Sequence, residues 1–255
     1  MKYIWYCLTA KRLLSNNFHY QFVNDFITNV VRGKDPVDYD GIEKNYKNLR
    51  YDTTILNVQD LGAGSVSGRG QIRQVRQLVR HSSIGLKYGR LLSRLVHSIK
   101  PFTIIELGTG AGFSTMYMAL ASDKCKIYSI EGSPEIADLA GGNIKSLGLK
   151  NTEIIAGSFN DILPVVLQKI QHPLFIFIDG DHRGENLIGY FETILPFTTE
   201  NTVVVLDDIR WSLSMEKAWK KIVKRTEVSV SIDLFRMGIL FLEKNINKQH
   251  FIVKL

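Results

Sequence analysis

Residues Thr103–Thr115 read TIIELGTGAGFST. A short β-branched run, Thr103-Ile104-Ile105, leads to an acid, Glu106, and then to three glycines, Gly108, Gly110 and Gly112, separated by small residues. Phe113 to about Ser122 reads as a helix, with Met116, Met118, Ala119 and Leu120 among its members. A buried strand feeding a glycine turn and a helix is the opening unit of a nucleotide-binding α/β fold. Glycine suits such a turn because a ligand must approach the backbone closely and only Gly takes the required φ values without cost. The free amides and positive end of the following helix favour carboxylate or phosphate groups. The spacing is not that of a dinucleotide fingerprint: counted from Gly108, the last glycine of G-x-G-x-x-G would fall on Phe113.

Downstream of this unit the alternation is regular. A helix over 113–122 leads to a strand at Lys126–Ile130, a helix over 134–147 to Thr152–Ala156, and a helix over 160–170 to Leu174–Ile178. Helices over 184–194 and 213–226 flank a strand at Thr202–Leu206, and short strands follow at Val228–Ile232, Met237–Leu242 and Phe251–Val253. Repeated βα units predict a Rossmann-like, doubly wound α/β fold with a mostly parallel sheet and helices on both faces. The last strands lack intervening helices, so they predict a C-terminal antiparallel hairpin.

Upstream, residues 1–84 read as an N-terminal, mainly helical extension to a domain spanning 85–255. Phe22, Val23, Phe26, Ile27, Val30 and Val31 recur at helical spacing after a cap at Ser15 or Asn16, and GKDPVDYD (33–40) breaks the helix. Residues 58–65, VQDLGAGS, imitate the strand, acid and glycine loop. The adjoining VSGRG (66–70) begins a helix poorly and no βα unit succeeds it, so the plainer reading is an ordered turn. Arg69, Arg73, Arg76 and Arg80 fall on one face of a helical projection, with Ile72, Val75 and Val79 on another. No aromatic residues interleave these arginines as stacking platforms, so a solvated face is expected rather than a nucleic-acid surface. A second helix, 82–99, carries Leu91, Leu92, Leu95 and Val96 as its stripe and ends at Pro101.

Composition bounds the class. The 255 residues are 45% hydrophobic and 22% charged, an ordinary globular balance. The net charge of +7 is uneven: residues 1–100 hold 16 Lys/Arg against 7 Asp/Glu. Two cysteines, Cys7 and Cys125, give neither a disulfide framework nor zinc spacing, and a reducing, cytoplasmic setting is expected. The opening MKYIWYCLTAKRLL has a short apolar run and no small-residue cleavage site, so it is not read as a signal peptide. No stretch is long and apolar enough to span a membrane.

Four further motifs carry chemistry. Glu131 ends the second strand, where a Rossmann-type fold sets an acid against ribose hydroxyls. Gly157, Ser158, Phe159 and Asn160 end the third strand; Phe159 is placed to stack on a base and Asn160 to bond its edge, or the run is a capped turn. IFIDGDHR ends the next strand with Asp179, Asp181 and His182, and VVLDDIRW ends the one after with Asp207 and Asp208. Acids directly after apolar strands are costly without partners. Asp179, Asp207 and Asp208 either converge as hard oxygen ligands for Mg²⁺ or cap helices without metal.

The run E-x-G-x-G-x-G resembles motif I of the S-adenosylmethionine-dependent methyltransferases. With the later motifs in order, residues 85–243 resemble the catechol and caffeoyl-CoA O-methyltransferases and small bacterial methyltransferases with an Asp-Gly-Asp-His sequence. The resemblance implies a cofactor site at Glu106, Gly108, Thr109, Gly110, Gly112, Phe113, Ser114, Glu131, the adenine loop Gly157, Ser158, Phe159 and Asn160, and Asp179. It implies metal ligands at Asp179, Asp207 and Asp208, the last being Asp where the family has Asn. His182 falls on the family's catalytic lysine; with Asp179 and Asp181 it forms the candidate catalytic set, since His titrates near neutrality. The family's substrate-side acid near the last hairpin is replaced by Phe235 and Arg236. The expected function is methyl transfer from S-adenosylmethionine to an oxygen of a small-molecule acceptor, either with Mg²⁺ as a second cofactor or without metal, the extension lidding the pocket or forming a homodimer. The rivals are an NAD-linked oxidoreductase, a cofactor-binding module without turnover, and an RNA methyltransferase using the basic extension.

Overall fold

The computed structural model describes residue 6 and residues 21–58, 71–243 and 247–255. Eight strands form one sheet: β3 (Thr103–Leu107), β4 (Lys126–Glu131), β5 (Thr152–Ala156), β6 (Leu174–Ile178), β7 (Val203–Leu206), β8 (Val230–Asp233), β9 (Gly238–Phe241) and β10 (Gln249–Ile252). Their order is β10-β8-β9-β7-β6-β3-β4-β5. Strands β3 to β7 are mutually parallel; β9 runs antiparallel to both β7 and β8, and β10 pairs parallel to β8. The doubly wound parallel sheet with an antiparallel hairpin is therefore present, and the chain reverses its direction of growth between β3 and β6.

The central strands are buried on both sides, which is why they read as unbroken apolar runs rather than as alternations. Ile104, Phe175, Phe177, Val203 and Val205 face one layer, and Ile105, Leu107, Ile176, Ile178, Val204 and Leu206 face the other. The helices begin where local chemistry caps them. Ser158 and Ser212 accept from the amides of Asp161 and Met215, and Pro134 opens the helix after Ser133. The helix Leu86–Ile99 stops at Lys100, which takes a left-handed conformation before Pro101.

The amino-terminal part differs from the helical extension expected. The helix Gln21–Phe26 widens into a π-turn over Ile27–Val31, and a helix at Asp40–Leu49 follows. A two-stranded antiparallel ladder, β1 (Ile55–Val58) with β2 (Gln71–Gln74), comes next. The proposed cap at Ser15 or Asn16, Arg69 and all of the imitation loop beyond Val58 lie outside the described residues. The row of arginines does not form one helical face. Gln71–Gln74 is strand, and the helix starts at Val75 because Gln74 and Gln77 cap it reciprocally. Arg73 therefore points from a strand, only Arg76 and Arg80 share the helix, and Ile72 is 73% exposed while Val75 and Val79 are buried. A break at Ser83–Gly85 separates this helix from the next.

The extension is not packed as a separate body. Val23, Phe26, Val30 and Ile42 belong to the same core as Leu91, Leu95, Ile104 and Phe241, and the Phe26 and Phe241 rings meet edge-on at 5.1 Å. Phe26→Ala should destabilise the whole chain by about 3–5 kcal/mol. It should do so in a single urea transition with an unchanged slope. A separate early transition in the variant would mean that the extension unfolds by itself.

Candidate active site

The carboxyl ends of β3 to β7 open into one cleft of about 550 Å³, at the point where the strand order reverses. Its floor is the turn after β3. Gly108, Gly110 and Gly112 all have positive φ, at 98°, 53° and 86°. At Gly108 the need for glycine comes from the protein itself: a Cβ there would collide with the carbonyl oxygen of Asp179, and the conformation already disfavours an L side chain. Gly108, Thr109, Gly110, Phe113 and Ser114 line the cleft; Gly112 packs behind it against Ala140.

Glu106 is fully buried and does not line the cleft. It accepts hydrogen bonds from the hydroxyls of Thr115 and Ser129, and Ser129 in turn meets the Thr109 hydroxyl at 2.6 Å. Its other oxygen, Oε1, has no hydrogen-bond partner. Burial pushes the carboxyl up to about 7, against the hydrogen bonds of Ser114, Ser129 and Thr115. Its place is beneath the loop, as a hydroxyl organiser, rather than beside a ligand.

Glu131 faces the cleft. Its two oxygens accept from the amides of Gly110 (2.9 Å) and Ser133 (3.1 Å), so one carboxylate ties the ends of β3 and β4 together. Burial raises its pKa, opposed by those amides. Ser158, Phe159 and Asn160 also line the cleft, and Gly157 lies behind them. The Phe159 ring closes over Gly180 and meets Tyr190 edge-on at 5.7 Å.

The acids after β6 and β7 are handled differently from one another. Asp181 accepts from Arg183, Asn186 and the Tyr190 hydroxyl. Burial alone would raise it, but these bonds outweigh burial and hold it below the usual carboxylate range. A carboxylate saturated with donors is a loop anchor, so Asp181 is unsuited to the catalytic role expected of it. Asp207 is buried behind the lining, and both its oxygens are taken by Arg236, at 3.0 Å from Nε and 2.8 Å from Nη2. Burial pushes it up to about 6, restrained chiefly by that guanidinium.

Asp179, His182 and Asp208 do converge, with one ligand atom of each within 4.8 Å of the others. Burial and the charges of Asp207 and Asp208 raise Asp179 well above its usual value. Burial lowers the His182 imidazole despite Asp208, whose Oδ2 is 3.9 Å from Nε2. A neutral imidazole facing a cleft is able to take a proton. The expected trio Asp179, Asp207 and Asp208 is thus replaced by one in which the histidine stands in for Asp207. Asp181, Asp208 and Phe235 hold left-handed backbone at φ 51°, 50° and 72°, a strain of about 1–3 kcal/mol for the phenylalanine.

Sequence reasoning missed several lining residues. Trp211, 68% exposed, packs on His182 at 5.4 Å, and Tyr190 backs Phe159. The extension supplies Val58, Arg73, Leu78, His81 and Ile84. Arg236, the cation standing where the family resemblance calls for an acid, also lines the cleft, as does Arg73 of the arginine row.

Glu106 gives a pH test. Its folded pKa of about 7 lies above the unfolded value of about 4.5. Wild-type stability from this group is therefore intact below pH 4.5 and lost as pH rises through 7. Glu106→Gln should remove that dependence. The variant should gain on wild type by on the order of 3 kcal/mol between pH 4.5 and 8, read from urea midpoints. A difference independent of pH would refute the buried, raised carboxyl.

A family model described as a methyltransferase domain matches residues 105–209. Catechol O-methyltransferases of Niastella koreensis and Mycobacterium tuberculosis are 33% and 27% identical over 130 residues. Each match covers 50% of this chain, and the chain spans 58% and 57% of their respective lengths. An O-methyltransferase from Bacillus cereus solved with SAH superposes with a TM-score of 0.61 at 20% identity, covering 87% of this chain and 98% of that one. The SAH-bound methyltransferase of Podospora anserina also gives 0.61, at 13% identity, over 92% and 100% of the two chains. Residues 105–209 are thus similar to a methyltransferase domain, and they lie on the Rossmann-like sheet whose carboxyl edge forms the cleft.

Proposed function

We propose that the chain transfers a methyl group from S-adenosylmethionine to a hydroxyl oxygen of a small acceptor. The observation that carries this is a single cleft with two unlike halves, meeting where Gly108 touches the backbone of Asp179. One half has the glycine turn, the free amides at the start of the helix Phe113–Ala121, the Glu131 carboxylate and the Phe159 ring. These suit a zwitterionic amino-acid end, a ribose and a base. The other half has a neutral imidazole, an exposed indole and a fixed guanidinium. When bound, the cofactor supplies an electrophilic methyl group on a sulfonium.

The chain's own work is alignment and proton removal. The shared cleft sets acceptor and cofactor on either side of the Gly108–Asp179 contact. His182 takes the acceptor hydroxyl proton at Nε2 or Nδ1, and Asp208 beside it steadies the imidazolium formed. Trp211 packs beside His182, and the Phe159 ring covers Gly180 between the two halves. The spacing of the glycines opposes an NAD reading, and Arg73, Arg76 and Arg80 do not share the single helical face that an RNA reading would use.

Mg²⁺ does not fit these residues in the expected way. Asp207 has no free oxygen, and an imidazole is a poor ligand for a hard ion that favours oxygen.

Calorimetry of the full chain should show S-adenosylhomocysteine binding, with NAD weaker or silent. Glu131→Gln should weaken the former about tenfold, through loss of a charge-assisted acceptor. His182→Ala should lower kcat with a small-phenol panel by about 10²–10⁴-fold while the cofactor affinity holds. Tighter NAD binding than S-adenosylhomocysteine binding would overturn the proposal.

A further inference from the structure

Asp179, Asp207 and Asp208 gather at the ends of two neighbouring strands, and the chain itself provides a countercharge in contact with the last two. Arg236, on the turn between β8 and β9, donates to both oxygens of Asp207, and its Nε lies 3.1 Å from Oδ1 of Asp208. The guanidinium is held from several sides. The Tyr88 ring lies 5.5 Å from it, and the Arg236 carbonyl accepts from the Ile209 amide at 2.9 Å. The turn that carries it is pinned by Arg210, which forms a bidentate pair with Asp233 at 2.7 and 2.6 Å and donates to the Phe235 carbonyl at 2.7 Å. The Phe235 amide closes the same unit onto Asp233.

A divalent ion using Asp207 would have to displace a bidentate, partly buried guanidinium. An ion using only Asp179, His182 and Asp208 would lie against that same positive charge. Two carboxylates and an imidazole also make a set for borderline transition ions rather than for Mg²⁺.

We infer that Arg236 is the resident cation of the acceptor half, and that methyl transfer by this chain needs no divalent metal ion. The inference rests on the methyl-transfer reading above. A guanidinium has five N–H donors, and Asp207 engages only those on Nε and Nη2. Arg236 lines the cleft, so donors remain for an acceptor oxygen. In the step, the acceptor O–H proton passes to His182 and Arg236 stabilises the oxyanion. The oxygen then forms its bond to the methyl carbon as the carbon–sulfur bond breaks, and that electron pair stays on sulfur, leaving a neutral thioether. Arg236 thereby does electrostatically what a Lewis acid would do.

The test uses the full chain stripped with chelator and titrated with Mn²⁺, read by electron paramagnetic resonance, together with methyl transfer in EDTA. Wild type should leave the Mn²⁺ spectrum at that of the free ion and should keep its turnover in EDTA. Arg236→Ala should expose the three carboxylates, acquire one Mn²⁺ site, and lose about 10²-fold of its turnover in EDTA with S-adenosylhomocysteine affinity unchanged. If that variant does not fold, Arg236→Lys keeps the charge without the fork and should retain part of the turnover, insensitive to EDTA. Stoichiometric Mn²⁺ binding by wild type, or a loss in EDTA restored by Mg²⁺ or Mn²⁺, would overturn the inference. Absence of S-adenosylhomocysteine binding would instead overturn the methyl-transfer reading, and the Mn²⁺ spectra separate the two failures.

Discussion

The architecture depends on a contact between two stretches of backbone. The turn after β3 runs so close to the carbonyl of Asp179 that position 108 has no room for a side chain. The contact lies between the two parallel strands at which the sheet reverses its growth, β3 and β6, whose register pairs Leu107 with Ile178. Everything assigned to a cofactor stands on one side of it, on β3, β4 and β5. Everything assigned to an acceptor stands on the other, on β6, β7 and the β8–β9 turn. On the methyl-transfer reading proposed above, the separation of acceptor and cofactor is thereby set by main chain, which is what a reaction governed by alignment requires.

The second constraint is negative charge. A row of acids stands at or beneath the cleft edge of adjacent strands, and a low-dielectric setting penalises each. Hydroxyls answer Glu106, backbone amides answer Glu131, side-chain donors answer Asp181, and a guanidinium answers Asp207 and Asp208. Among the described residues no hydrogen-bond donor reaches the Asp179 carboxylate, which burial and the charges of Asp207 and Asp208 raise well above its usual value. The unanswered carboxylate is the one that borders both halves of the cleft. That position is consistent with a ligand completing its surroundings rather than the protein.

Much of this was legible in the sequence where local signals agree. Thr152–Ala156, Leu174–Ile178 and the helix 184–194 are found at the expected residues, because apolar runs bounded by glycine, proline and serine caps leave few alternatives. The amino-terminal part was read poorly for an equally physical reason. Helical spacing among Ile72, Val75 and Val79 is real, but Ile72 belongs to a ladder whose partner, Ile55–Val58, lies earlier in the chain. Pairing over that separation leaves no local periodic trace. The same holds for the site. The acids could be seen one by one, yet only the fold shows that Arg236, 29 residues beyond Asp207, closes on it. Asp181 looked as reactive as Asp179 in the motif, and its three donors lie on a loop and a helix that sequence could not orient.

The loops that aim the chemistry turn at residues other than glycine. Asp181, Asp208 and Phe235 all hold left-handed backbone, and each adjoins a member of the acceptor-side charge cluster: His182, Asp207 and Arg236. Asp tolerates this conformation through local hydrogen bonds, but phenylalanine has no such relief. What retains Phe235 there is the Arg210–Asp233 pair, which grips both its amide and its carbonyl, and the Tyr6 ring packed at 5.1 Å. The motif after β7 thus has two functions divided between neighbours. Its acids face Arg236, while Arg210, three residues beyond Asp207, fixes the turn on which Arg236 is carried.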